Sequence, residues 1–155
     1  MKKIFLPFLL FLLVLSSAGC IKDTSCTPKT PQSEQATIQN FAAANSIIAT
    51  QHSTGLYYEI LNPGSGPAPN ITSTIRVTYT GKLLDGTVID SGTTPAEGWP
   101  LAGLIQGWQV GIPLIAEGGV IKLIVPSSMA YGCSGLGPVP GDAILYFEVT
   151  LIDVL

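Results

Sequence analysis

The sequence predicts an α+β fold in which a curved antiparallel β-sheet wraps around one short α-helix, with an extra helix near the N-terminus. Several segments alternate apolar and polar residues, as half-buried strands do, and turn signals separate them. Only one apolar segment in the second half of the chain has helical spacing, and two glycines and a proline keep it short. A sheet and a helix that pack together bury the apolar face of each.

The first 19 residues are predicted to be a signal peptide and no part of the fold. A basic start precedes the apolar run 4–15, and small residues then lead to Cys20. This run is too short to span a bilayer but is typical of a signal-peptide core. The small residues before Cys20 resemble the lipobox of bacterial lipoproteins, which implies lipidation of Cys20 and anchoring to a membrane of the cell envelope. The alternative is an ordinary signal peptide with a free Cys20.

The remaining chain is divided into a lipidated tether at 20–30, an N-terminal helix and linker at 31–54, and a main domain at 55–155. The tether is polar and has no periodicity. Thr30 and Pro31 form a helix start, because threonine caps helices and proline is favoured at the first helical position. The alanine-rich stretch that follows is predicted to be helical up to Asn45.

The strands of the main domain are predicted from alternation and turns. In one of them Ile75, Val77 and Tyr79 share a face. Asp85 and Gly86 then form a favoured hairpin turn. The predicted strand segments are 55–61, 73–84, 87–90, 119–126 and 143–155.

Residues 91–103 are expected to be loop, with an isolated Trp99. In the segment 104–115 that follows, apolar residues at helical spacing predict the short helix.

Composition excludes several classes of function. The formal net charge is −3 and no basic run is present, so we expect no nucleic-acid partner. The single histidine, His52, lies in a polar stretch, which disfavours a Ser-His-Asp triad and a zinc site built from histidines. No glycine-rich nucleotide-binding motif occurs. We therefore expect no metal and no cofactor.

Three stretches, VTYTGKLLDGTVIDS, GWQVGIPLIAEGGVIKLIVPSSMAYG and VPGDAILYFEVTLI, together resemble the FKBP-type peptidyl-prolyl cis-trans isomerases. The resemblance covers residues 55–155, with the motifs in family order. It implies catalytic roles for Asp90 and Tyr131. It also implies a substrate pocket formed by Tyr79, Ile89, Trp99, Leu104, Ile105, Trp108, Val139 and Phe147.

Within that pocket, the resemblance implies that the Ile105 amide and the Tyr131 hydroxyl each bind a substrate carbonyl. Ile89 stands where the family usually has phenylalanine, which widens the implied site. The expected partners are proline-containing proteins or peptides, and we expect a monomer. The alternatives are a lipid-anchored chaperone or binding module with the same fold and little turnover, and an envelope scaffold for one partner protein.

Two cysteines remain if Cys20 carries lipid. Disulfides form in the cell envelope, where an exposed free thiol would be a liability. We therefore expect Cys26 in the tether to pair with Cys133, which lies two residues after Tyr131. The alternative is two unpaired thiols, with Cys133 buried as a small apolar residue.

Overall fold

The structure is a computed structural model that describes residues 26–155. The predicted signal peptide, the lipidation site at Cys20 and the start of the tether lie outside the described residues.

One antiparallel sheet forms the body of the described chain. Its strands follow the order β1-β2-β6-β7-β3-β4, and the short β5 pairs with β3. The strands are β1 (Thr50–Gln51), β2 (Tyr57–Asn62), β3 (Thr74–Leu83), β4 (Val88–Thr93), β5 (Trp99–Pro100), β6 (Val120–Val125) and β7 (Leu145–Val154). The predicted α+β fold, a curved antiparallel sheet with few helices, is confirmed.

The longest pairing, between β3 and β7, shows why the sequence forms this sheet. Ile75, Val77 and Tyr79 on β3 are buried, and the residues between them are more exposed, so the predicted alternation holds. β7 repeats the pattern and pairs Tyr79 with Val149. Because successive side chains of a strand point to opposite faces, both strands direct one apolar row toward the same core.

The short helix α2 (Gln106–Gly111) packs against this inner face and continues into a 3-10 turn at Ile112–Leu114. Trp108 and Ile112 are buried in the inner core with the apolar rows of β3, β6 and β7. Two glycines let α2 lie close to the sheet. A Cβ atom at Gly107 would overlap the side chain of Val125, and one at Gly111 would lie 2.6 Å from Cδ2 of Leu123.

The N-terminal helix α1 (Pro31–Ala44) lies on the opposite, outer face of the sheet. Thr30 is its N-cap, and the Thr30 Oγ1 accepts a hydrogen bond of 3.2 Å from the Ser33 amide. Ile38 and Ala42 belong to a second apolar cluster, which also contains Ile124 of β6 and Tyr146 of β7. Those two side chains alternate with inner-core residues, which places α1 and α2 on different faces.

The prediction that residues 91–103 form a loop was wrong in part. β4 continues to Thr93, and Trp99 lies in β5, paired with Ile75 of β3. A 3-10 turn at Leu101–Gly103 follows. A two-residue strand is too short to show alternation, so only its pairing with a distant strand reveals it.

Within residues 26–155, no helix is both long enough and apolar enough to cross a membrane.

Candidate active site

A cleft of about 200 Å³ opens between the inner face of the sheet, α2 and the loop that follows β6. Nine residues line it, and eight of them are among the ten pocket and catalytic residues that the sequence predicts. They are Tyr79, Asp90, Trp99, Leu104, Ile105, Trp108, Tyr131 and Phe147, together with Gly103, which the sequence did not indicate.

Aromatic rings form the base of the cleft. Trp108 is 4% exposed and meets both Tyr79 and Phe147 nearly edge to face, with ring centroids 5.3 and 5.4 Å apart. Trp99 approaches Tyr79 from the rim at 5.7 Å because β5 pairs beside it. Such edge-to-face pairs are favourable beyond their apolar area, so they hold the rings in fixed orientations. The base therefore offers a ligand a rigid apolar surface.

A tyrosine and a carboxylate form the polar wall of the cleft. The Tyr79 hydroxyl donates a hydrogen bond of 2.6 Å to Oδ2 of Asp90. Burial, and then this hydrogen bond, raise the pKa of Tyr79 well above its ordinary value, so its hydroxyl remains a donor to Asp90 even at a pH where an exposed tyrosine would ionise. This bond fixes the Asp90 carboxylate beside the aromatic base. No lysine or arginine is among the described residues that line the cleft.

The edge of the cleft presents an unpaired backbone donor at Ile105. Among the residues that the structure describes, none accepts a hydrogen bond from this amide. Gln109 of α2 braces the segment just before it, because its Nε2 donates to the carbonyls of Ala102 at 3.1 Å and Leu104 at 2.7 Å. These two hydrogen bonds from Gln109 were not predicted, since a glutamine on a short helix gives no sequence signal of its own. A free donor on a braced segment can bind a carbonyl of an extended peptide.

Tyr131 also lines the cleft and follows a 3-10 turn at Ser127–Met129. The Tyr131 hydroxyl has no partner in the described part of the chain, so it too can bind a ligand carbonyl. A disulfide joins Cys133, two residues later, to Cys26, with Cα atoms 5.6 Å apart.

Ile89 and Val139 are the two predicted pocket residues that do not line the cleft. Ile89 is half-buried and packs against the inner core beside it. Val139 is 7% exposed within that core, and its backbone pairs with Leu136, which is 64% exposed. Gly103, the added lining residue, has no side chain and so carries no chemical signal in the sequence.

The part of the chain that the structure describes contains no group of three or more His, Cys, Asp or Glu side chains that could hold a metal ion. The chemical groups that the cleft offers are an apolar base, one carboxylate at Asp90 and unpaired hydrogen-bond donors at Ile105 and Tyr131. These features suit an extended peptide with a compact apolar side chain.

Comparison with known proteins adds to this geometry. Residues 66–152 match the family described as FKBP-type peptidyl-prolyl cis-trans isomerase. The chain is 41% identical over 104 residues to the FKBP-type peptidyl-prolyl cis-trans isomerase FkpA of Escherichia coli K12, a match that covers 66% of this chain and 38% of FkpA. It is 38% identical over 120 residues to FkpA of Aeromonas hydrophila, covering 75% of this chain and 45% of that protein.

A solved peptidyl-prolyl cis-trans isomerase from Pseudomonas syringae pv. tomato has a TM-score of 0.67 and 29% identity to this chain. That match covers 83% of this chain and 98% of the solved chain. The chain thus spans under half the length of the two FkpA proteins, but matches almost the whole of the solved isomerase.

Proposed function

Because the chain belongs to the FKBP-type peptidyl-prolyl cis-trans isomerase family, we propose that it catalyses cis–trans isomerisation of X-Pro bonds in proline-containing proteins or peptides. The observation that carries the proposal is the aromatic cleft with Asp90 on one wall and unpaired donors at Ile105 and Tyr131. An apolar base fits a proline ring, and the donors fit the carbonyls on either side of it.

The barrier to be lowered is the loss of amide resonance. Rotation about a peptide bond costs about 18–20 kcal/mol, whereas the cis and trans ends of an X-Pro bond differ by only about 0.5–1 kcal/mol. The planar amide is more polar than the twisted one. A cleft built on Trp108 and Phe147 removes water from the bound carbonyl and so favours the twisted state.

The donors then hold the substrate near the twisted geometry. The Ile105 amide binds one carbonyl and the Tyr131 hydroxyl binds another, while Asp90 lies beside the rotating amide. Lowering the barrier by about 4 kcal/mol gives roughly a thousandfold acceleration. No covalent bond forms or breaks, so the step as proposed calls for neither a nucleophile nor a cofactor.

Turnover of a proline-containing tetrapeptide by the purified protein tests this proposal. We expect kcat/KM to fall by about tenfold or more in Asp90→Val and Trp108→Ala, and by less in Tyr131→Phe, which keeps the ring. Circular dichroism and melting curves establish that each variant is folded. Unchanged turnover in all three folded variants would place the activity elsewhere.

A folded wild-type protein without turnover would instead favour the lipid-anchored chaperone or binding module. Suppression of aggregation of an unfolded client, measured in parallel, identifies that case. Light scattering of the same sample tests the monomer that we propose.

We propose further that the protein acts in the bacterial cell envelope, anchored by lipid on Cys20 after removal of residues 1–19. The apolar run and the small residues before Cys20 support this. Cys20→Ala should leave the signal uncleaved or release the protein into the soluble fraction, as seen by fractionation and mass spectrometry. Cleaved Cys20→Ala protein that remains with the membranes would refute the anchor.

The proposed division of the mature chain keeps the tether at 20–30, the helix and linker at 31–54, and the isomerase domain at 55–155. The family match at 66–152 and the separate helix Pro31–Ala44 support it. Limited proteolysis, with cleavage expected first within the tether, tests the boundaries.

A further inference from the structure

A carboxylate on the outer helix reaches the loop that carries Tyr131. Glu34, in the first turn of α1, is only 3% exposed. Its Oε2 accepts a hydrogen bond of 2.8 Å from the backbone amide of Ser127, which is itself fully buried. Its other oxygen, Oε1, is buried and has no hydrogen-bond partner among the described residues. Because burying a carboxylate is costly and the Ser127 amide offsets part of that cost, this contact is a specific one rather than incidental packing.

Backbone hydrogen bonds connect Ser127 to the two residues that flank Tyr131. Its carbonyl accepts hydrogen bonds from the amide of Ala130 at 3.1 Å and from the amide of Gly132 at 2.8 Å. Those two residues directly precede and follow Tyr131 in the chain. The backbone on both sides of Tyr131 is therefore fixed to Ser127, and Ser127 is fixed to Glu34.

A purely structural role for Glu34 is the simplest alternative. An acidic residue in the first turn stabilises a helix through the helix dipole, and α1 needs some contact with the body of the protein. However, the dipole effect requires no burial, and α1 already packs on the sheet through Ile38 and Ala42. Neither the helix dipole nor the packing of α1 explains why the Glu34 carboxylate binds Ser127, whose carbonyl is bonded to both neighbours of Tyr131.

We propose that Glu34 is a positioning residue for Tyr131, so that the outer helix, which precedes the family match at 66–152, takes part in setting the active site. This inference rests on the isomerase function proposed above. Glu34 acts by holding the 3-10 turn at Ser127–Met129, and the turn orients the Tyr131 hydroxyl over the cleft.

The test compares three variants of the full chain. Glu34→Leu keeps the volume but leaves the Ser127 amide without an acceptor. Glu34→Gln keeps a carbonyl oxygen for that amide. Ile38→Ala is the matched control, because it weakens the apolar packing of α1 but keeps the hydrogen bond from the Ser127 amide to Glu34. All are assayed with a proline-containing tetrapeptide well below their melting temperatures.

We expect Glu34→Leu to lower kcat/KM by about two- to fivefold, no more than Tyr131→Phe does, and Glu34→Gln to retain most of it. Ile38→Ala should lower the melting temperature with little change in kcat/KM. In the Tyr131→Phe background, Glu34→Leu should cost almost nothing more, because the hydroxyl that it positions is already gone. An equal loss in both backgrounds, or an equal loss in Ile38→Ala, would show that Glu34 is structural only.

Hydrogen exchange separates this inference from the proposed function. In Glu34→Leu the amides of Ser127, Ala130 and Gly132 should lose protection, whereas they should keep it in Ile38→Ala. Preserved protection in Glu34→Leu would overturn the positioning role even if the wild type is active. A wild type without turnover would refute the isomerase proposal, and with it catalytic positioning, even if exchange shows that Glu34 holds the loop.

Discussion

Ile89 and Asp90 are adjacent in sequence, yet both reach the inner side of the sheet. In the pairing of β3 with β4, Gly81 lies opposite Asp90 and Lys82 lies opposite Val88, so Ile89 is an extra residue in a β-bulge. A bulge redirects side chains that would otherwise alternate. Asp90 can therefore meet Tyr79 while Ile89 packs on the core beside the cleft.

Ile89→Phe tests how this position shapes the pocket. The longer ring should extend from the core toward the cleft and restore an aromatic wall. We expect kcat/KM for small proline peptides to rise by about two- to tenfold, the equivalent of one aromatic contact.

Ile89→Leu serves as the control for Ile89→Phe, because it conserves volume and adds no ring. We expect it to leave kcat/KM near the wild-type value. A fall in activity of folded Ile89→Phe would show instead that Ile89 suits a bulkier substrate.

At the residue scale, the sequence predicted the site best where a side chain carries the chemistry. Eight of the ten predicted residues line the cleft. They could be predicted because the motifs that contain them occur in this sequence in the order and at the spacing of the family that it resembles. Gly103 and the brace from Gln109 were missed, since a glycine and a backbone-directed amide leave no pattern. Glu34 was missed because its partner, Ser127, lies 93 residues away.

At the scale of elements, the position of α2 depends on how closely it approaches β6. The helix has only six residues, too few to be stable alone, so packing must hold it in place. A Cβ atom at Gly107 would overlap Val125 of β6. Trp108, at the base of the cleft, is the next residue. The close approach of Gly107 to Val125 therefore also determines how deep the cleft is.

Gly107→Ala should therefore destabilise the protein by about 1–3 kcal/mol through overpacking. It should also lower kcat/KM, because Trp108 moves with the helix. Gly92→Ala is a matched control, since a Cβ atom there meets nothing within 4 Å. Urea unfolding followed by tryptophan fluorescence measures the stability of both variants, and the tetrapeptide assay measures kcat/KM. Equal stability of the two variants would contradict close packing of α2.

Elements with clear periodicity were predictable from the sequence, and those fixed only by pairing were not. The rows on β3 and β7 and the caps of α1 follow from local pattern. The strand β5 has two residues and exists through its bonds to β3. The face on which α1 packs depends on Tyr146 and other apolar residues that alternate with the inner core, which only the assembled sheet reveals.

At the scale of the whole molecule, the N-terminal segment is attached to the loop after β6 at separate points. The disulfide joins Cys26 to Cys133, and Lys29 Nζ lies 3.8 Å from Oδ2 of Asp142 at the end of the same loop. The latter pair is partly exposed and contributes little. The disulfide and the buried contact from Glu34 are therefore the stronger attachments, and they hold the loop at different residues, Cys133 and Ser127.

Reduction of the disulfide tests this arrangement. The bond closes a loop across a sequence separation of 107 residues, which stabilises the fold by up to about 4–5 kcal/mol in the chain-entropy model. A reductant should therefore lower the melting temperature and speed hydrogen exchange around Cys133. Because Glu34 still holds Ser127 in the reduced protein, kcat/KM should fall less than it does in Glu34→Leu.

The double variant Cys26→Ser, Cys133→Ser provides the control for reduction. It should melt near the temperature of the reduced wild type and should not respond to reductant. A wild type that responds no more than this variant would mean that the bond contributes nothing. Non-reducing mass spectrometry of protein from the native envelope gives the direct result. Two free thiols would show that the native protein lacks the covalent attachment, so that the hydrogen bond from Ser127 to Glu34 would hold the start of this loop to α1 without it.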